Sequence, residues 1–170
     1  MRQEQREGLL VTGTQGGLVP AASRKFFDEA SLALMYAIID SMNILSVHHV
    51  AVICSDYPRS LAFYRDVLGL TVVAEHYRAE RDSYKTDLAL NGTYLVELFS
   101  FPDPPPRVTN PEAAGLRHLA FAVDDLDAAV AELDEKGVAH ETIRVDEFTG
   151  SRFVFFKDPD GLPIEFYEAG

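Results

Sequence analysis

Two histidines and two glutamates recur at matching places along this chain. His118 follows His49 by 69 residues, and Glu165 follows Glu97 by 68. Imidazole and carboxylate are donors that together suit a divalent transition ion such as Ni, Zn, Co, Mn or Fe. Each of the four stands in an apolar run: HHVAVIC, YLVELF, RHLAFAV and LPIEFY. On a strand, side chains alternate between faces. His49 then shares a face with Ala51 and Ile53, and His118 with Ala120 and Ala122. Glu97 goes with Leu95, Phe99 and Phe101, and Glu165 with Pro163 and Tyr167. His48, by parity, points to the other side with Val50 and Val52. A lone carboxylate among apolar neighbours is costly unless compensated. A His–Glu ion pair would also compensate it. The same pair chosen twice, at repeat positions, favours the metal reading.

These pairs need elements to hold them, and the rest of the sequence repeats in step. Asp56 and Asp125 are 69 apart, as are the turns Asn91-Gly92 and Asp160-Gly161; Gly69 and Gly137 are 68 apart. Such self-similarity marks a duplicated unit. In the first copy, residues 47–53 read as a strand and Asp56 as a helix cap. Leu61, Tyr64, Val67 and Leu68 form an apolar stripe, and Gly69 supplies a left-handed end. In the second, Asp125 caps, Leu126, Ala129, Val130 and Leu133 form the stripe, and Gly137 closes it. Residues 71–101 and 139–167 hold β-rich runs, whose last hairpins turn on Asn-Gly and on Asp-Pro-Asp-Gly. The expected fold is α+β, two βαβββ modules at about 44–103 and 112–168 within one domain at 44–168. If the modules are related by a pseudo-two-fold axis, their non-helical faces meet and the four groups converge.

Residues 1–43 read differently. The first twenty are rich in Gly, Gln and Thr without periodicity, which predicts disorder. A weak helical stripe follows at Leu32, Met35, Ile39 and Met42. The stripe reads either as a helix that docks on the domain or a partner or, the favoured expectation, as part of an N-terminal extension upstream of a start at Met42. Asp28, Glu29 and Asp40 argue against a secretory signal.

Composition narrows the partners. A net charge of −12 without a basic cluster speaks against nucleic acid and anionic membranes. No apolar run reaches the length of a membrane span. One cysteine, Cys54, permits no internal disulfide and fits a reducing cytoplasm; its place at a strand end predicts a small packed side chain rather than a nucleophile. His76 and His140 lack counterparts at the repeat offset and read as packed or surface residues.

The segments HHVAVICSD, FYRDVLGL, LVELF, LRHLAFAVDD and DPDGLPIEFYE together resemble the vicinal oxygen chelate superfamily, and within it the glyoxalase I (lactoylglutathione lyase)-like branch. The resemblance covers residues 44–168. It implies a sheet curled around a metal cleft, with His49, Glu97, His118 and Glu165 as ligands of one divalent ion. It also implies a homodimer, in some members with the metal site shared between chains. Two His with two Glu points to the isomerase-like branch: proton abstraction beside a carbonyl, a metal-stabilised enediolate, and Glu97 or Glu165 as the base on a small α-oxo or α-hydroxycarbonyl substrate. An epimerase, a dioxygenase, or a small-molecule or antibiotic-binding protein without catalysis are the alternatives.

The sequence departs from bacterial glyoxalase I in one respect. Residues 50–55 are apolar and then small, where that family carries an arginine for the glutathione carboxylate. Anion-binding substitutes are Arg78, Arg81, Lys85, Arg107 and Arg152. Among these, Arg152 opens the run RFVFF before the last turn. Phe99, Phe101 and Tyr167 would line the substrate pocket beside Lys85 and Arg152.

Overall fold

The structure, a computed structural model, describes residues 44–170; the N-terminal extension and its helical stripe lie outside the described residues. Val47–Gly170 forms one compact unit. In chain order it runs β1 (Val50–Cys54), α1 (Tyr57–Ala62), β2 (Thr71–Arg78), β3 (Ser83–Leu90), β4 (Thr93–Ser100), β5 (Leu119–Val123), α2 (Leu126–Glu135), β6 (Arg144–Val145), β7 (Arg152–Lys157) and β8 (Pro163–Glu168). This is the α+β fold of two βαβββ modules.

The helices start where the sequence places caps. The carboxylates of Asp56 and Asp125 accept from the backbone N–H of Arg59 at 3.0 Å and of Ala128 at 2.9 Å, each filling an orphan donor of a first turn. Gly69 and Gly137 sit at φ +69° and +67°, the left-handed conformation that a side chain would strain. One local feature was not legible in the stripe. α1 widens after one and a half turns into a π-helical turn, Phe63–Val67, in which the Leu68 N–H reaches the Phe63 carbonyl at 3.2 Å.

Each module closes its own four-stranded sheet, in the orders β1-β4-β3-β2 and β5-β8-β7-β6. The first strand pairs with the last in parallel, and the remaining pairs are antiparallel. The registers are repeats of one another: Ala51 lies opposite Glu97, and Ala120 opposite Glu165. Alternation fixes the faces as the sequence predicts except at a register shift in β4, where Leu95, expected beside Glu97, packs against the core instead. Val52, Cys54, Val96 and Leu98 are buried on one side of the first sheet, while Ala51 and Ile53 are exposed on the other.

One hydrophobic core takes the buried sides of both sheets, with Leu88, Val96 and Leu98 from the first joined by Phe121, Phe156 and Ile164 from the second. Polar contacts add to this junction. In the Asp-Pro-Asp-Gly turn the Asp158 carboxylate, 6% exposed, accepts from the N–H of Leu162 at 2.7 Å and of Asp160 at 3.0 Å. It also accepts from the Tyr64 hydroxyl at 2.9 Å, and Asp160 takes the Ser55 N–H at 3.1 Å. The last turn of module two is thus bound to the helix of module one. Cys54 is buried in the core, and burial pushes its thiol up to about 11, which leaves it protonated and unreactive.

Candidate metal centre

The parity that buries Val96 and Leu98 turns Glu97 to the opposite side, where it meets His49. Nε2 of His49 is 3.4 Å from a Glu97 carboxylate oxygen. In module two, Nε2 of His118 lies 3.1 Å from Glu165. Both glutamate side chains are mostly covered, 13% and 12% exposed. These separations suit a shared ion: two donors about 2.1 Å from a metal stand about 3.0 Å apart at a right angle and about 3.4 Å apart at a tetrahedral angle. Each module therefore presents a His–Glu pair of suitable donor type, a candidate bidentate half-site.

The expected convergence of all four groups does not occur within one chain. Among the described residues no three His, Cys, Asp or Glu side chains gather around a common point. The reason lies in the packing. The buried sides of both sheets belong to one core, so the His–Glu faces are the two left outside it.

The half-sites differ in what surrounds them. In module one, Lys85 on β3 places its ammonium 2.6 Å from Glu97 and 2.6 Å from Asp87. The Tyr94 hydroxyl bridges the same two carboxylates, at 3.0 Å to Glu97 and 3.2 Å to Asp87. Burial works against ionisation of Glu97. The hydrogen bonds from Lys85 and Tyr94, with the charges of Lys85 and His49, outweigh it and hold its carboxyl below the usual range. Hydrogen bonds to Asp87 and Glu97 in turn hold Lys85 well above its ordinary value. In module two the strand positions equivalent to Lys85 and Asp87 are aromatic. Asp87 lies opposite Glu97, whereas Phe155 lies opposite Glu165; Lys85 lies opposite Phe99, whereas Phe153 lies opposite Tyr167. The His118 ring meets the Phe155 edge at 5.2 Å between centroids, and its Nδ1 is 3.2 Å from the Arg117 guanidinium.

Other sequence expectations divide. Lys85 joins the first half-site. Phe99 shares its face, and its ring, with that of Phe101, lies under the Arg78 guanidinium at 4.9 and 5.5 Å. Tyr167 shares the face of Glu165, stacks on Phe153 and donates to Asp146 at 3.1 Å. Arg152 is a correction. It has the parity of buried Val154 and Phe156, and its guanidinium is spent on Glu168 at 2.6 and 2.9 Å and Asp127 at 3.0 Å. It pins α2 to the sheet and does not reach Glu165. His48 does not turn toward the helix; it is exposed, with Nδ1 2.8 Å from Nδ1 of His49 and its ring edge-on to Tyr94. Arg107 donates to the backbone carbonyl of Arg117 at 3.3 Å. His140 is engaged by Asp134 at 3.1 Å and the Glu141 carbonyl at 2.7 Å. Asp87, Tyr94 and Arg117 were passed over in the sequence. Asp87 was legible as the residue two along from Lys85 on one strand face, and Tyr94 as the residue three before Glu97.

Residues 46–166 match the Glyoxalase/Bleomycin resistance protein/Dioxygenase superfamily. The chain belongs to this superfamily. It is 64% identical over 127 residues to YwkD of Bacillus subtilis and 61% identical over 127 residues to YaeR of Escherichia coli, covering 75% of this chain in both cases and 99% and 98% of theirs. A solved glyoxalase family protein from Enterococcus faecalis aligns with TM-score 0.70 at 44% identity, over 75% of this chain and all of that one. At 28–30% identity, over 71–74% of this chain and 71–83% of theirs, the superfamily relatives include Glyoxylase I 4 of Arabidopsis thaliana, 2-epi-5-epi-valiolone epimerase of Actinomyces sp. and metallothiol transferase FosB of Staphylococcus epidermidis. Among the described residues no helix is long and apolar enough to cross a membrane.

Proposed function

We propose that this protein is a metal-dependent lyase or isomerase of the glyoxalase I-like kind, moving a proton between adjacent carbons of a small α-oxo or α-hydroxycarbonyl compound. The observation that carries the reading is the pair of bidentate His–Glu half-sites in matching registers, with donor spacings suited to one divalent ion. Relatives whose names denote a glyoxylase and an epimerase support a proton-shifting reaction.

Since one chain holds two half-sites facing away from a common core, the full ligand set is assembled by a homodimer. His49 and Glu97 of one copy meet His118 and Glu165 of a second, and two such sites form per dimer. The open faces suit this: Ala51, Ile53, Ala120 and Ala122 are exposed apolar residues beside the ligands. A divalent ion held by these residues would supply Lewis acidity toward the substrate carbonyl. The chain supplies the rest. A carboxylate among apolar neighbours takes and returns the proton. Glu165 suits that role: no lysine ties it, whereas Glu97 is held by Lys85 and Tyr94. Phe153, Phe155 and Tyr167 pack ring against ring as an aromatic wall on its side of the site.

The test is turnover of methylglyoxal thiohemiacetals and of simple α-hydroxyketones by metal-loaded protein. Glu165→Gln is expected to lower kcat by about 10²–10⁴-fold, the range of a general base. Metal-loaded wild type that turns over none of these substrates would refute the reaction.

A further inference from the structure

A cavity of about 610 Å³ opens beside the module-two half-site. Phe155 and Pro163, which line it, share the strand face of Glu165, and Arg117, also on its wall, touches His118. Its charge is opposite to that of the molecule. The chain carries 15 Lys and Arg against 27 Asp and Glu, yet four cations (Arg107, Arg117, Arg144 and Lys157) and only two carboxylates (Glu112 and Glu141) line this one cavity. A cationic cleft in an acidic protein focuses field lines and concentrates small anions.

Two of the four cations are already engaged. Arg107 is spent on backbone carbonyls, and Arg144 is bonded to Glu141 at 2.8 Å. Arg117 and Lys157 have no carboxylate partner within 4.0 Å among the described residues. The guanidinium groups of Arg117 and Arg144 both lie over the Phe155 ring, at 5.9 and 5.4 Å. The aromatic ring limits their freedom and orients planar donors next to the half-site.

We infer that the cavity is a subsite for an anionic substrate: Arg117 and Lys157 bind a carboxylate or phosphate at the non-reacting end of the molecule whose carbonyl end lies at His118 and Glu165. The inference rests on the metal-centred reading for its reacting end, but the anion subsite is testable without metal.

The experiment is an amide chemical-shift titration of full-length, metal-free protein at low salt with succinate, inorganic phosphate and the neutral succinamide. Saturable shifts at Arg117, Phe155 and Lys157 are expected with the two anions and not with succinamide. Affinity should fall about tenfold in Arg117→Gln/Lys157→Gln, two exposed positions whose replacement leaves the thermal midpoint unchanged. Tighter binding of succinate assigns a carboxylate-bearing substrate, and tighter binding of phosphate a phosphorylated one. Equal response to succinamide, or equal affinity in the double variant, overturns the inference. Metal stoichiometry of the wild type, measured separately, reports on the metal centre without involving the anion subsite, so the two readings fail independently.

Discussion

At the residue scale, Lys85 decides how the first half-site behaves without an ion. Its ammonium stands 2.6 Å from Glu97, where it neutralises a carboxylate that would otherwise lie beside Asp87. A divalent ion binding Glu97 competes with that contact. Lys85→Met should therefore bind the ion more tightly, on the order of tenfold, the effect of removing one charge-assisted hydrogen bond. Competition against a chelating dye measures it; unchanged or weaker binding would mean Lys85 supports the ion rather than opposing it. The four His and Glu positions were legible because type, spacing and strand parity agree. Arg152 was misread because sequence shows a charge at a strand start but not Asp127 and Glu168 waiting on the helix side. Asp87 and Tyr94 gave weaker signals: Asp87 faces Glu97 across the sheet, and Tyr94, of opposite parity on the same strand, reaches Glu97 because the register shifts between them.

At the scale of elements, the Asp-Pro-Asp-Gly turn joins the modules through Asp158. Three donors converge on its buried carboxylate, so Asp158→Ala should destabilise the protein by about 2–4 kcal/mol, the cost of orphaning several buried polar groups. Burial, the largest influence, holds this carboxyl above its ordinary value despite those hydrogen bonds. The folded state thus binds the proton more tightly than the unfolded chain. That contribution is fully present below the unfolded value and is lost as pH rises through the folded one. Thermal midpoints of wild type and Asp158→Asn compared from about pH 3 to 7 should show wild type losing ground to the variant as pH rises; a constant difference would contradict the assignment. The repeated strand–helix–strands order and both helix caps could be read from sequence because local chemistry fixes them. The π-helical turn could not, since it reflects how Phe63 and Tyr64 seat in the shared core.

At the scale of the whole molecule, sequence symmetry predicts two equivalent arms but not whether both arms of one chain meet. The common core answers that, by turning the His–Glu faces outward. On the proposed reading, those faces are the surfaces that a second copy would cover. Ile53, 54% exposed on the face of His49, tests this: Ile53→Asp should convert a dimer into a species near the chain mass of 18.9 kDa in light scattering, with the fold retained by circular dichroism. An unchanged mass would place any interface elsewhere.

The most direct measurement counts metal in mixed dimers. A chain with His49→Ala and Glu97→Ala is combined with a chain carrying His118→Ala and Glu165→Ala. In each homodimer every site lacks one pair, and neither should retain metal. In the mixed dimer one site loses both pairs while the other regains all four ligands, so one tightly held ion per mixed dimer is predicted. Absence of metal from the mixed dimer, with the wild-type dimer holding two ions, would contradict a centre shared between chains; absence from the wild type as well would contradict the metal centre itself.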